Sequence, residues 1–126
     1  MTTIVFCEDN ASIRKLISVA MRSTDHRVLI AADGREGLDL IRAEMPALIV
    51  TDLAMPVMDG IELYDALQRE PELAAIPVVF LTASTQRGLI TAARERRPTA
   101  IINKPFSPSQ LREELETLLV AKVELP

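Results

Sequence analysis

Residues 47–62 read Ala47-Leu48-Ile49-Val50-Thr51-Asp52-Leu53-Ala54-Met55-Pro56-Val57-Met58-Asp59-Gly60-Ile61-Glu62, and their pattern decides the fold. Leu48-Ile49-Val50 is continuously apolar rather than alternating, as expected of a strand covered by helices on both faces of a parallel sheet. The run leads into a carboxylate, Asp52, and Pro56 marks the irregular segment after it. Asp59 then stands three residues before Glu62, so an Asp oxygen can cap a new helix while the glutamate reaches back to the cap. Asp59 is read as that cap and not as a catalytic acid.

The same alternation of short apolar run and longer amphipathic stretch extends to both ends of the chain. Strands are expected at Thr3 to Cys7, Arg27 to Ala31, Ala47 to Thr51, Val78 to Thr82 and Thr99 to Ile102. Between them apolar residues recur at three and four, as in Ile13, Leu16, Ile17, Ala20 and in Leu111, Leu115, Leu118, Leu119. Asp33 with Glu36 and Ser107 with Pro108 and Gln110 give two more helix starts, and Pro46, Pro71 and Pro77 punctuate the boundaries. Five strands alternating with five helices predict a single doubly wound α/β domain over residues 1–126, because right-handed crossovers put helices on both faces of a parallel sheet. Ligands in such sheets bind beyond the carboxyl ends of the strands.

Composition narrows the function classes. The chain has 126 residues and is 48% hydrophobic, enough for one core. A net charge of −4 and few aromatics (one Tyr, three Phe, no Trp) disfavour direct nucleic-acid binding, which needs a basic field and stacking platforms. The lone Cys7 cannot form an internal disulfide, no signal-peptide pattern opens the chain, and no run approaches the roughly 20 apolar residues of a membrane span. A soluble, cytoplasmic protein is expected, with Cys7 a buried small hydrophobe and His26 a surface residue.

Chemistry gathers at the strand ends. The first strand runs into Glu8-Asp9, the third into Asp52, the fourth ends at Thr82, and Lys104-Pro105 follows the fifth. Three carboxylates brought together call for a cation, and an all-oxygen set suits Mg²⁺. A carboxylate beside such an ion, an ammonium and a hydroxyl is equipped to attack phosphorus, with Lys104 and Thr82 meeting the equatorial oxygens. Asp52, on the central strand, is the expected nucleophile and would carry an acyl phosphate.

At these residues the chain resembles the receiver domains of two-component response regulators. The resemblance rests on Val5-Phe6-Cys7-Glu8-Asp9-Asn10, on Asp52-Leu53-Ala54-Met55-Pro56-Val57-Met58-Asp59-Gly60, on Phe80-Leu81-Thr82-Ala83 and on Asn103-Lys104-Pro105-Phe106, in that order. It implies a flavodoxin-like sheet with strand order 2-1-3-4-5. It also implies that Asp52 accepts a phosphoryl group from a phosphohistidine on a histidine kinase or histidine phosphotransfer protein. Asp9 would hold Mg²⁺ directly, Glu8 through water, and the backbone carbonyl of Ala54 would complete the shell. Lys104 would contact the phosphoryl group from a cis Lys104-Pro105 peptide, Thr82 would report phosphorylation, and Ile13 and Arg14 would face the kinase, with the core an equal alternative for Ile13. The chain is expected to work as a monomer or weak dimer and as a switch rather than an enzyme.

Two departures from the family pattern stand out. Ile101 occupies the place, three residues before the lysine, where receivers usually carry an aromatic whose rotation is coupled to the threonine. Ala54 and Ser84 flank the path of a hydrolytic water, and both are small, which predicts an open site. Arg94, Arg96 and Arg97 at the end of the fourth amphipathic helix suit its macrodipole, and are read as structural before they are read as a docking patch.

Competing functions fare less well. A small Mg²⁺-dependent phosphatase or phosphotransferase acting on metabolites shares the aspartyl nucleophile, but the general acid expected two residues later is here Ala54. A dinucleotide-binding module needs a glycine-rich first turn, and Glu8-Asp9-Asn10-Ala11-Ser12 has none.

Overall fold

A computed structural model describes residues 2–83 and 86–124, the side chains of 121–124 excepted. Its elements run β1 (Thr3–Cys7), α1 (Ala11–Met21), β2 (Arg27–Ala31), α2 (Gly34–Glu44), β3 (Leu48–Asp52), α3 (Gly60–Gln68), α4 (Pro71–Ala74), β4 (Val78–Thr82), α5 (Arg87–Glu95), β5 (Ala100–Asn103) and α6 (Pro108–Glu124). The five strands form one sheet in the order β2-β1-β3-β4-β5, and every pairing is parallel. This is the order the resemblance implied.

Every residue of β3 and β4 is buried, in keeping with their unbroken apolar runs. Alternate side chains feed two separate cores. Ile4, Phe6, Leu48, Val50, Val79, Leu81 and Ile102 pack against α1 and α6, whereas Val5, Cys7, Ile49, Val78 and Phe80 pack against α2, α3 and α5. Since strand side chains alternate, a slip of one residue would exchange the two cores.

The helix starts follow the capping chemistry. Asp59 and Glu62 form a reciprocal capping box, and so do Ser107 and Gln110. Asp33 accepts from Glu36 N, while the Glu36 carboxylate reaches one residue further back, to Ala32 N. The cap of α1 is Asn10, whose Oδ1 accepts from Ile13 N at 3.0 Å, so Glu8 and Asp9 lie in a short loop ahead of the helix.

Three differences from the sequence reading have simple causes. The described residues hold six helices rather than five, because Pro71 opens the one-turn α4, which is too short to show an amphipathic stripe. β3 and β5 begin one residue later than expected, so Asp52 is the last residue of its strand. His26 is mostly covered rather than a surface residue, since α6 packs beside it and Glu116 pairs with its Nε2.

Candidate functional site

The carboxyl ends of β1, β3, β4 and β5 lie side by side. Cys7 registers with Thr51, Asp52 with Leu81 and Thr82 with Asn103, so the residues just after β1 and β5 flank Asp52 and Thr82. The structure thereby brings Glu8, Asp9, Asp52, Thr82 and Lys104 together from segments up to 96 residues apart.

Asp52 is the pivot. Its Oδ1 accepts from Leu53 N at 2.8 Å and its Oδ2 from Lys104 Nζ at 3.0 Å. Below it, the Thr51 hydroxyl donates to the Asp52 carbonyl at 2.9 Å. Lys104 Nζ also donates to Glu8 Oε1 at 2.7 Å, and Asn10 N donates to Glu8 Oε2 at 3.1 Å. Lys104 N in turn donates to the Thr82 carbonyl at 2.7 Å, and the Lys104–Pro105 peptide is cis. Thr82 is buried and Asp9 is exposed at the rim.

Burial is the largest single influence on both Glu8 and Lys104, and their pairing with each other works against it. Burial pushes the Glu8 carboxyl up to about 7, Lys104 opposes that shift, and Asp52 reinforces it. Burial alone would lower Lys104, yet its bonds to Glu8 and Asp52 outweigh this and hold it above the ordinary lysine value. Cys7, beneath the site, is pushed up to about 12 by burial, so it stays a neutral thiol. One carboxylate oxygen from each of Glu8, Asp9 and Asp52 lies within 4.8 Å of the others. That all-oxygen set fits a hard divalent cation, with Asp9 offering the exposed carboxylate and Glu8 already engaged by Lys104 and Asn10.

The loop after Asp52 is held by backbone contacts. Gly60 N donates to Leu53 O at 2.9 Å, and a Cβ on Gly60 would fall 2.4 Å from the Asp52 carbonyl, so only glycine fits. Gly34 N donates to Met58 O at 3.1 Å, tying the loop to the start of α2. Met58 N donates to Pro56 O at 2.7 Å across Val57, a γ-turn with φ 69° at a valine that is 80% exposed.

A pocket of about 80 Å³ opens beside the Asp52 carboxylate, lined by Asp52, Ala54, Thr82, Ala83, Gln86 and Lys104 with Leu53 and Leu89. Ala54 is exposed at its edge, and Ser84, expected near it, lies outside the described residues. A larger hollow of about 410 Å³ sits at the opposite end of the sheet, around Leu48, Pro77 and Leu118, and among the described residues no carboxylate lines it.

The remaining residues singled out by sequence take quieter positions. Arg14 Nη1 donates to the carbonyls of Glu8 and Asp9 at 3.0 and 2.8 Å, bracing the acidic loop, while Ile13 packs against the α1–α6 core. Ile101 is half-buried on the opposite face against the α3–α5 core. Arg96 makes a two-pronged ion pair with Asp65 at 2.8 Å on each arm, which favours the structural reading of that arginine. Gln86 went unremarked in the sequence, where nothing distinguishes a lone glutamine in a loop.

The comparisons decide the family. The model of the response regulator receiver domain matches residues 4–116. The chain belongs to the response regulator receiver domain family. A sensor histidine kinase, TmoS of Ectopseudomonas mendocina, is 33% identical over 95% of this chain, which spans 12% of that protein. The probable transcriptional regulator ycf27 of Porphyridium aerugineum is 33% identical over 92% of the chain and is 47% covered. This receiver therefore spans half or less of these curated relatives. Among solved structures, the chemotaxis response regulator CheY4 of Vibrio cholerae superposes with a TM-score of 0.84 at 29% identity, covering 94% of this chain and 98% of that one. Among the described residues, no helix is long and apolar enough to cross a membrane.

Proposed function

We propose that this receiver, acting as one unit, takes a phosphoryl group onto Asp52 from a phosphohistidine of a histidine kinase or histidine phosphotransfer protein. It then signals by contact with another protein or by onward transfer. The observation that carries the reading is the pairing of Asp52 with Lys104 at 3.0 Å inside a cluster where Glu8 and Asp9 offer further carboxylate oxygens.

The division of labour follows from the contacts. Asp52 supplies the attacking oxygen, while Leu53 N on Oδ1 fixes the carboxylate plane. Lys104 and the Thr82 hydroxyl meet the charge on the transferred group. Asp9, Asp52 and the carbonyl of Ala54 would hold Mg²⁺, with Glu8 acting through water, and the ion when bound neutralises charge on the phosphoryl oxygens. The kinase approaches over the start of α1, where Ile13 and Arg14 flank the acidic loop. Thr82 starts the output, and with Ile101 in place of an aromatic the change passes through α5 and its loops. The protein acts in the cytoplasm as a monomer or weak dimer.

Stoichiometry tests this against a metabolite phosphatase. With Mg²⁺ and a small acyl phosphate, labelling is expected to stop at one phosphoryl group per chain and to be blocked by beryllofluoride. Sustained turnover of a generic phosphate ester would overturn the reading.

A further inference from the structure

We propose that Arg14 is a positioning residue for the divalent cation: it fixes the backbone of Asp9, so that the exposed carboxylate is aimed at the ion before the ion arrives. This rests on the reading of Glu8, Asp9 and Asp52 as the carboxylates around that cation.

The three carboxylates differ in what holds them. Asp52 accepts from Leu53 N and Lys104 Nζ, and Glu8 accepts from Lys104 Nζ and Asn10 N. Among the described residues, no hydrogen bond or ion pair holds the Asp9 carboxylate, which is exposed at the rim. Its direction is therefore set by the main chain.

The main chain at this point belongs to neither neighbouring element. β1 ends at Cys7 and α1 begins at Ala11. The first backbone bond of the helix runs from Arg14 N to Asn10 O at 2.9 Å, so the carbonyls of Glu8 and Asp9 fall outside both the sheet ladder and the helix. Arg14 supplies the donors: its Nη1 reaches Glu8 O at 3.0 Å and Asp9 O at 2.8 Å. Those carbonyls belong to the two planar peptides on either side of Asp9 Cα. Holding both planes leaves neither φ nor ψ of Asp9 free, which fixes the direction of its Cα–Cβ bond.

The acceptors are as telling as the donor. A guanidinium this close to Glu8 and Asp9 could pair with their carboxylates, which make the stronger hydrogen bonds. It takes the carbonyls instead and leaves the carboxylate oxygens to a cation. The resemblance turns Arg14 toward the kinase, whereas in the structure the tip of its side chain is turned to the loop. Groups that orient metal ligands without touching the ion typically carry about 10–100-fold in affinity. Charge alone predicts the opposite sign, since a fixed cation beside the site repels a divalent ion and its removal would tighten binding.

The test compares wild type with Arg14→Met, which keeps an apolar stem and removes the donors, and with Arg14→Gln, which is too short to span both carbonyls. Mg²⁺ affinity is measured by calorimetry, and the order of the Asp9 amide by nitrogen-15 relaxation in the presence of chelator. Both variants are expected to bind Mg²⁺ about tenfold more weakly. Their Asp9 amide order parameter should fall from about 0.85 toward about 0.6, while the amides of β1 and β3 keep their wild-type values. Binding as tight as in wild type, or tighter, overturns the inference, and so does weaker binding with an unchanged Asp9 amide. If wild type itself takes up no Mg²⁺ at millimolar concentration, the cation reading fails and this inference falls with it; wild-type affinity retained by both variants removes Arg14 alone.

Discussion

Lys104 Nζ lies 3.0 Å from Asp52 Oδ2, and the same ammonium reaches Glu8 Oε1 at 2.7 Å. One cation from the loop after β5 thus bridges carboxylates borne by the ends of β1 and β3. Lys104→Met removes that charge and leaves fully buried Glu8 and nearly buried Asp52 facing each other. Without divalent cation, urea unfolding is expected to show a loss of about 3 kcal/mol, the scale of a broken buried pair. An unchanged midpoint would mean that water already compensates the two carboxylates.

Gly37 marks where α2 presses on β1. A Cβ built there would fall 2.3 Å from Cys7 Sγ, while the next contacts, Cys7 Cβ and Ala31 Cβ, are at 3.6 and 3.8 Å. Gly37→Ala should therefore cost about 1–3 kcal/mol by overpacking. Cys7→Ala removes the obstructing sulfur, so the double variant is expected to be more stable than the sum of the two single losses predicts. A urea double-mutant cycle measures this, and strict additivity would locate the strain elsewhere.

The success of the sequence reading has a physical basis at particular residues. Leu48-Ile49-Val50 reads as a buried strand because its unbroken hydrophobicity leaves no polar face, and Asp59 reads as a cap because Glu62 stands at the reciprocal position. Glu8, Asp9, Asp52, Thr82 and Lys104 were legible as a group because parallel strands bring their carboxyl ends to one edge. What escaped was contact between remote side chains. His26 with Glu116 and Arg96 with Asp65 depend on how helices sit against one another, which periodicity does not encode. The one-turn α4 was too short for a stripe, and Gln86 reaches the pocket only through the fold.

Val57 holds φ 69° in the loop between Asp52 and the cap Asp59, a conformation that crowds a β-branched side chain. It is 80% exposed and so gains little from burial. Val57→Gly relieves strain of about 1–3 kcal/mol and pays back part of it in backbone entropy. A net gain of about 1 kcal/mol is expected in urea unfolding; a loss would show that the valine makes contacts worth more than its strain.

Asp65 and Arg96 couple α3 to the end of α5, where Tyr64 also donates to the Arg96 carbonyl at 3.1 Å. The Arg96 guanidinium holds the Asp65 carboxyl below the usual carboxylate range, with burial opposing. A depressed carboxylate stabilises the fold above its unfolded value and loses that contribution as pH falls through the folded one. The pair is partly exposed, so Asp65→Asn should cost about 0.5–1 kcal/mol at neutral pH. The difference between wild type and variant is expected to hold down to about pH 5 and to shrink below about pH 4. A gap that persisted at pH 3 would assign the stabilisation to something other than the ion pair.

The most direct test of the central claim is the location of the phosphoryl group. Wild type and Asp52→Asn would be exposed to a phosphorylated histidine kinase with Mg²⁺, and the label mapped by peptide analysis after trapping of the acyl phosphate. The account predicts one alkali-labile label on Asp52 in wild type and none in the variant. Equal labelling of Asp52→Asn, or a label on another residue of the wild type, would contradict it.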